Sequence, residues 1–479
     1  MKFSPVLHFL GLVILFLGLF MLFSIGWAVY YQEAEAVHFG ISAAITILSG
    51  FLLWKFSNPQ PGIQIREGFA IVSLGWIAMA FFGALPFVIS GAIPDPTDAV
   101  FESMSGFTTT GASILTDIEV LPQCVLFWRS FTHWLGGMGI IVFSLAILPI
   151  LGIGGMQLYK AEAPGPTKDK LTPRISQTAK LLWGVYILLS ALETGLLMLC
   201  GVDLFDALCH MFGTMATGGF STHNASIAVF SNPWVHWIII LFMFLAGTNF
   251  VLHYRALSGK PGFYWRNPEF RFYVGTLLVA ILLITLFSWS RFEQHGHTLR
   301  DSVFQAVSLC TTTGFITADY EKWHTLAIIV LILLMFMGGM AGSTGGGMKM
   351  MRCLILIKHA HIEVKKLIHP NAVFPLRFGS RVISADTTTN ILGFFLLYMV
   401  FFVLGALLLA ALGQDFYTSI GASIACLSNI GPGIGFVGPN GNYAGMPVMA
   451  KWILIFLMLL GRLELFTVLV LFSRTFWRK

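Results

Sequence analysis

The sequence predicts an all-α membrane protein of four tandem repeats in a pseudo-fourfold arrangement, each a span, a re-entrant loop and a second span, preceded by two extra transmembrane helices. The first observation is composition, because the 479 residues are 56% hydrophobic and 10% charged. The mean hydropathy is +0.81, outside the range of soluble domains. The second is a motif that occurs four times, aligned on one glycine: Thr109-Thr110-Gly111-Ala112, Thr217-Gly218-Gly219-Phe220, Thr312-Thr313-Gly314-Phe315 and Asn429-Ile430-Gly431-Pro432.

A short helix is predicted before each of these glycines. A residue that favours a helix N-cap lies thirteen positions earlier in every copy: Asp98, Asp206, Asp301 and Thr418. The apolar stretch of about eleven residues that follows covers, at 1.5 Å per residue, only about half of a ~30 Å hydrocarbon core. We therefore expect each segment to enter and leave on one side of the membrane, with its irregular backbone facing water or protein.

The longer apolar runs order the rest of the chain. The predicted spans are 5–31, 38–56, 68–90, 123–151, 176–200, 234–257, 272–289, 325–357, 389–412 and 450–472. They divide the chain into the two leading helices (1–60), repeat 1 (61–155), repeat 2 (170–260), repeat 3 (268–370) and repeat 4 (380–479).

The distribution of lysine and arginine predicts the orientation. With the N- and C-termini in the cytoplasm, 21 of the 28 basic residues fall on the inner side and five on the outer side, as cytoplasmic enrichment of positive charge requires. The outer five are Arg129, Arg291, Arg300, Lys322 and Lys451. Lys349 and Arg462 remain inside the membrane. All four re-entrant loops are then on the outer side.

Several classes of function find little support. The six cysteines form no CxxC motif, which gives no disulfide or metal framework. The pairs His295/His297 and His359/His361 have no third clustered ligand nearby in the sequence. No intramembrane catalytic cluster and no compact basic patch with aromatic residues occurs. We expect neither an enzyme nor a nucleic-acid-binding protein, and a purely structural protein would have no use for four re-entrant segments.

The four loops are predicted to form a cation filter. Backbone carbonyls replace the water around a dehydrated cation without fixed charge, and glycine permits the positive φ and close approach that such a loop needs. A Thr-Gly pair is also an ordinary helix-ending turn, but four copies at matched spacing favour the pore. The predicted cation-binding residues are Thr108, Thr109, Thr110, Gly111, Ala216, Thr217, Gly218, Gly219, Thr311, Thr312, Thr313, Gly314, Ser428, Asn429, Ile430 and Gly431.

The last span of repeat 3 is interrupted by the glycine-rich segment 338–349, which has six glycines in twelve residues. Each glycine costs a helix ~1 kcal/mol relative to alanine, so we expect an unwound, movable barrier below the filter. Close helix packing through small residues is the alternative. The ending Gly347-Met348-Lys349 does not fit a phosphate-binding loop. The predicted gating residues in the segment are Gly338, Gly339, Gly342, Ser343, Thr344, Gly345, Gly346, Gly347 and Lys349.

Arg462 lies within the final predicted span, where a charge costs at least ~2.5 kcal/mol. One hypothesis is a pair with Glu464 or a side chain that reaches the interface. The other is a positive charge beside the pore that contacts carbonyls of the glycine-rich segment and raises the barrier to a permeating cation. Lys349 is expected either to act in the same way or to extend to the cytoplasmic interface.

These motifs resemble the Trk/Ktr/HKT superfamily of potassium transporters, and most closely its TrkH-type subunits of bacteria. The resemblance covers nearly the whole chain, including the two leading helices. It is carried by Ser105-Gly106-Phe107-Thr108-Thr109-Thr110-Gly111, Thr214-Met215-Ala216-Thr217-Gly218-Gly219-Phe220, Thr311-Thr312-Thr313-Gly314-Phe315 and Asn429-Ile430-Gly431-Pro432-Gly433. The resemblance implies a single-chain pseudo-tetramer of potassium-channel-like units, with 338–349 as its intramembrane gating loop and an arginine at 462. The loops lack the Thr-Val-Gly-Tyr-Gly pattern of potassium channels, so we expect looser selectivity.

The resemblance further implies gated potassium uptake across the bacterial inner membrane, with potassium as the transported ion and no cofactor. A symporter that couples potassium to protons or sodium is the alternative. The implied partners are a second copy of the chain and a cytosolic TrkA-type nucleotide-binding subunit. The basic stretches 358–366 and 160–180 are candidates for its docking surface, or for contact with membrane lipid.

Overall fold

The structure is a computed structural model that describes residues 3–58, 65–150, 175–289 and 295–477. The predicted basic stretch 160–180 lies mostly outside these residues, and Arg291 lies outside them entirely. Apart from one β-hairpin of Arg377–Phe378 and Arg381–Val382, the regular elements in the described part are helices.

The helices repeat the predicted order of span, short helix and span four times. The leading helices are α1 (Phe3–Tyr30) and α2 (Glu35–Lys55). The repeats contain α3 (Ile65–Ile89), α4 (Pro96–Phe107), α5 (Gln123–Ile150), α6 (Ile175–Leu199), α7 (Leu204–Met215), α8 (Pro233–Ala246), α9 (Phe250–Leu257), α10 (Phe263–Arg266), α11 (Pro268–Ser288), α12 (His295–Cys310), α13 (Thr325–Met337), α14 (Met350–Ile368), α15 (Ala385–Ala411), α16 (Phe416–Leu427), α17 (Val448–Arg462), α18 (Phe466–Leu469) and α19 (Arg474–Trp477).

Six of the described helices are long and apolar enough to cross a membrane, and two further pairs qualify if each bent pair counts as one span.

The two leading helices, α1 and α2, pack closely against each other. A Cβ added at Gly11 would lie only 2.5 Å from the backbone nitrogen of Trp54. Glu33, between α1 and α2, accepts hydrogen bonds from the backbone N–H groups of Gln123 and Cys124 at 2.5 and 3.0 Å. This carboxylate satisfies the open N-terminus of α5 and joins the hairpin to repeat 1.

The predicted N-caps Asp98, Asp206, Asp301 and Thr418 are wrong. The residues that cap α4, α7 and α16 are Asp95, Asp203 and Asp415, whose carboxylates accept hydrogen bonds from the second and third helical N–H groups. Asp98, Asp206 and Thr418 therefore lie one turn inside their helices, and Asp301 lies within α12, which begins at His295. The error arose because an acidic or hydroxyl residue follows each true cap at the third position, which also favours helix starts.

Two predicted spans are broken. The span 234–257 bends by 103° between α8 and α9, and the span 450–472 bends by 111° after α17. At the first break Asn249 accepts a hydrogen bond from the N–H of Val251 and so begins a new helix. At the second break Glu464 and Leu465 have φ of 56° and 57°, which no α-helix accommodates. Together with the glycine-rich segment after α13, these breaks interrupt the second long helix of repeats 2, 3 and 4.

The cap of α4 is testable at one site. Replacing Asp95 with alanine should lower the free energy of unfolding by ~1 kcal/mol, whereas Asp95→Asn should change it by a few tenths, because asparagine caps as well as aspartate. Thermal denaturation of the purified protein in detergent, followed by size-exclusion chromatography, compares the two. Equal destabilisation by both variants would show that the charge, and not the cap, matters at this position.

Candidate functional site

The sixteen predicted filter residues form four loops at residues 108–111, 216–219, 311–314 and 428–431, which we call the filter loops. All four have the same backbone form. The second residue of each loop is left-handed, with φ of 51° at Thr109, 55° at Thr217, 63° at Thr312 and 56° at Asn429. The aligned glycine two residues later also has positive φ, between 77° and 93°. A non-glycine residue in this region is uncommon, and four at one position indicate one repeated structure.

The aligned glycines join the filter loops into a closed ring. Each aligned glycine lies against a backbone carbonyl oxygen of the next repeat. That oxygen belongs to the residue immediately before the next aligned glycine, and the approach leaves no room for a Cβ. An added Cβ would lie 2.1 Å from Gly218 O for Gly111, 2.0 Å from Thr313 O for Gly219, 1.9 Å from Ile430 O for Gly314 and 2.6 Å from Thr110 O for Gly431. The contacts therefore run from repeat 1 to 2, 2 to 3, 3 to 4 and back to 1.

The polar side chains of the ring bond to one another. The hydroxyls of Thr108 and Thr110 are 2.8 Å apart, as are those of Thr311 and Thr313. Asn429 donates to the hydroxyl of Thr110 at 3.0 Å, which links repeat 4 to repeat 1. No filter-loop residue carries a formal charge. Such a ring of neutral oxygens can coordinate a weakly held, dehydrated cation.

The glycine-rich segment (Gly338–Lys349) lies against one end of this ring, which we call the inner end; the opposite end is the outer end. Gly347 N–H donates to Ser428 O at 3.0 Å, and Gly346 N–H donates to the hydroxyl of Thr312 at 2.6 Å. The Thr344 hydroxyl donates to Met215 O, at the end of α7, at 3.0 Å. The segment thus contacts repeats 2, 3 and 4 where their short helices end and their filter loops begin.

Two polar side chains that were not predicted from the sequence, Glu269 and Asn249, bond to the backbone of the glycine-rich segment at Ala341. Glu269, buried at the start of α11, accepts from Ala341 N–H at 2.7 Å, and Asn249 donates to Ala341 O at 2.7 Å. Glu269 could have been noticed as an acidic residue at the start of a long apolar run. These bonds satisfy peptide groups that would otherwise be costly at membrane depth.

Arg462 ends α17 and is 3% exposed. It donates to Thr344 O at 2.7 Å and to Gly136 O at 2.9 Å, so its cation does contact a carbonyl of the glycine-rich segment. The alternative pair with Glu464 is wrong, because the break after α17 turns that carboxylate toward Arg352, at 2.5 Å. The gating role of Arg462 and the glycine-rich segment stays a prediction.

The Lys349 side chain does not extend to the protein surface. The residue is 9% exposed and has φ of 73°. Its ammonium group turns back and donates to Gly345 O, within the same segment. Two cations, Lys349 and Arg462, therefore bond to carbonyls of the glycine-rich segment near the inner end of the ring.

Three further buried charges were missed or misplaced from the sequence. Arg129, predicted on the outer side, is 2% exposed and pairs with the fully buried Glu102 at 2.6 Å. Glu193 is fully buried in α6, with the Thr214 side chain as a hydrogen-bonding neighbour. Each lies inside an apolar run of the sequence, and that was the signal by which it could have been found.

At the outer end, His223 links two re-entrant segments. Its Nε2 is 3.0 Å from Asp206 Oδ2 and its Nδ1 is 3.6 Å from Glu119 Oε1. The hydrogen bond with Asp206, followed by the charges of Asp206 and Glu119, raises the pKa of His223 above its ordinary 6.5, although partial burial opposes this. Asn224 continues the link by donating to Asp117 at 2.8 Å.

Comparison with known proteins agrees with this arrangement. The family model TrkH, described as a cation transport protein, matches residues 35–479. This chain belongs to the TrkH family. A Trk system potassium uptake protein TrkH from Salmonella typhimurium is 44% identical, and the alignment covers all of both chains. The Trk system potassium uptake protein TrkG of Escherichia coli is 38% identical, over 99% of this chain and 98% of the relative.

A solved TrkH structure has the same fold. The crystal structure of the potassium transporter TrkH from Vibrio parahaemolyticus aligns with a TM-score of 0.91 and 37% identity, over all of both chains. The resemblance inferred from the motifs is thereby confirmed, and so is the predicted all-α membrane architecture of four repeats after two leading helices.

Substitution of an aligned glycine tests the ring. Gly314→Ala places a Cβ against Ile430 O at a positive φ, so we expect rubidium uptake by proteoliposomes to fall at least ~10-fold, the equivalent of ~1.4 kcal/mol. Gly275→Ala is the control, because a Cβ at that position in α11 meets nothing within 4 Å. Equal uptake by the two variants would contradict the tight ring.

The His223 contact predicts a pH dependence of stability. Since the folded pKa is raised, the stability that this histidine contributes is fully present below 6.5 and is lost as pH rises through the raised value. Thermal denaturation of wild type between pH ~5 and ~9 should show a loss with rising pH that is smaller in His223→Gln and in Asp206→Asn. An unchanged pH profile in His223→Gln would contradict this assignment.

Proposed function

We propose that this chain takes up potassium ions through the ring of filter loops, with the glycine-rich segment as its gate. The observation that carries the proposal is the closed cycle of glycine-to-carbonyl contacts among the four repeats. A ring of neutral backbone oxygens suits a monovalent cation that must bind well enough to enter and weakly enough to leave. The relatives named as Trk system potassium uptake proteins support potassium as the ion.

The driving force for uptake is the membrane potential. A cation that moves inward gains ~2.3 kcal/mol per 100 mV, so a passive pore suffices for accumulation. The acidic caps Asp95, Asp203 and Asp415 at the outer ends of the short helices add a negative potential at the entrance. We place the protein in the bacterial inner membrane, with both termini in the cytoplasm.

In the proposed closed state, the glycine-rich segment obstructs the inner end of the pathway. Its bonds to Ser428 O and to the hydroxyl of Thr312 use groups of the filter loops themselves. The cations of Lys349 and Arg462 add an electrostatic barrier to potassium. Opening requires that the segment leave these partners, and its glycines make other backbone conformations accessible.

Helix α14 is the proposed route by which a cytosolic subunit controls the gate. It begins directly after Lys349, so any displacement of α14 acts on the segment. Arg352 in its first turn pairs with Glu464 at 2.5 Å and stacks over the Phe394 ring at 4.0 Å, which fixes this helix to repeat 4. Its far end carries the predicted docking stretch 358–366. A TrkA-type nucleotide-binding partner and a homodimer complete the proposed assembly.

Proton-coupled symport is the second candidate, and Glu193 is the observation that favours it. A fully buried carboxyl group within a predicted span, with the Thr214 side chain as its hydrogen-bonding neighbour, is the kind of group that carries protons in transporters. If coupling occurs, an imposed inward proton gradient should accelerate rubidium uptake in wild type and have no such effect in Glu193→Gln. The same gradient should leave a passive pore unaffected.

Removing the arginine tests the gate. Arg462→Gln should raise rubidium uptake into proteoliposomes several-fold, because the barrier loses a positive charge and its bond to Thr344 O. Partial deletion of the glycine-rich segment should act in the same direction. The control is Arg377→Gln, on the exposed hairpin. Uptake that is saturable and blocked by excess potassium in every active form supports the pore.

Slower uptake in folded Arg462→Gln would contradict the gating role of this residue. No uptake from well-folded wild type or from the deletion would reject the autonomous pore.

A further inference from the structure

One buried ion pair lies directly behind two of the four filter loops. Glu102, in the second half of α4, is 0% exposed, and Arg129, in α5, is 2% exposed. Arg129 Nε is 2.6 Å from Glu102 Oε1. Moving both charges out of water is unfavourable before their attraction is counted. A buried pair at this position is therefore expected to have a function in the filter.

The carboxylate of Glu102 binds the residues that follow the filter loop of repeat 1, which we call filter loop 1. Its Oε1 accepts from the Ser113 hydroxyl and its Oε2 accepts from Ile114 N–H, both at 2.9 Å. These residues follow Gly111 by two and three positions. Glu102 therefore fixes the outgoing chain to the helix by which the same loop enters.

The guanidinium of Arg129 binds the residues that follow the filter loop of repeat 2, which we call filter loop 2. It donates to Ser221 O at 2.8 Å, and its carbon lies 3.6 Å from the centre of the Phe220 ring. These residues immediately follow Gly219. One ion pair thus connects the outgoing chains of two adjacent filter loops.

Among the residues that the structure describes, the other repeats do not reproduce this connection. The residues nine positions before the aligned glycines are Glu102, His210, Gln305 and Ala422. His210 bonds to the Ser221 hydroxyl at 2.9 Å, but the Gln305 side chain has no hydrogen-bond partner among the described residues. Repeats 3 and 4 are instead linked by the Tyr320 hydroxyl, which donates to Gly433 O at 2.6 Å.

We propose that Glu102 and Arg129 are positioning residues that set the separation of filter loops 1 and 2, and thereby the discrimination between potassium and sodium. The inference rests on the proposed potassium pore. Removing one partner leaves a buried charge without its counterion, so the two outgoing chains separate and the oxygens of Thr110 and Gly218 no longer hold their spacing. Ion discrimination depends on the geometry and field of these oxygens.

The test compares Glu102→Gln, Glu102→Asp and Arg129→Lys with wild type in proteoliposomes. The readout is the ratio of sodium to potassium concentrations that halve rubidium uptake, which a change in the amount of folded protein would not alter. We expect this ratio to fall ~10-fold in Glu102→Gln, the equivalent of ~1.4 kcal/mol. It should fall less in Glu102→Asp and Arg129→Lys, which keep the charges. Size-exclusion chromatography and thermal denaturation identify folded variants.

Lys451→Gln is the matched control. It removes a comparable ion pair, Lys451 with Asp98 at 2.5 Å, at the outer end of the same α4 but away from the loop. We expect lower thermal stability and an unchanged ratio.

The outcomes distinguish the positioning role of Glu102 and Arg129 from the proposed potassium pore. An unchanged ratio in folded Glu102→Gln overturns the positioning role and leaves the pore intact. If Glu102→Gln does not fold, an unchanged ratio in Arg129→Lys overturns it. A wild type without selective uptake rejects the proposed pore itself.

Discussion

The contact between each aligned glycine and the carbonyl of the next repeat is the constraint on which the rest of the structure depends. At separations of 1.9 to 2.6 Å from a hypothetical Cβ, no side chain fits, and each glycine also has positive φ. The four loops can approach one another only with this residue at this position. The short helices, their aspartate caps and the buried pair of Glu102 and Arg129 all serve to hold four irregular backbones at that distance inside a membrane.

The same constraint explains the glycine-rich segment. Irregular backbone at membrane depth needs a partner for every peptide group, and the inner end of the ring offers unused carbonyls and hydroxyls. The segment bonds to these groups and to Glu269, Asn249 and Arg462. The contact of the segment with the ring and the satisfaction of its own polar groups are therefore one arrangement. For the proposed gate to open, the segment must find other partners, which water in the pathway would supply.

The sequence predicted the features that have a local signal and missed those that depend on an exact helix boundary or on tertiary packing. Four copies of one motif identified the filter loops, and the density of glycines identified the segment after α13. The caps were placed one turn late, because Asp98, Asp206 and Thr418 satisfy the same helix-start pattern as the true caps. The breaks after α8 and α17 were missed because Thr248-Asn249 and Glu464-Leu465 interrupt apolar runs without proline. Partners such as Glu102 with Arg129, 27 residues apart, follow from tertiary packing that no local pattern encodes.

The most direct test of this account is a crystal structure of the protein in rubidium, with the ion located by anomalous scattering. The account predicts a peak on the axis of the ring, coordinated by backbone oxygens that include those of Thr110, Gly218, Thr313 and Ile430. Replacing rubidium with sodium should weaken or displace it. A well-ordered ring without rubidium, with the ion bound elsewhere in the membrane region, would contradict the central claim that these four loops form the cation filter.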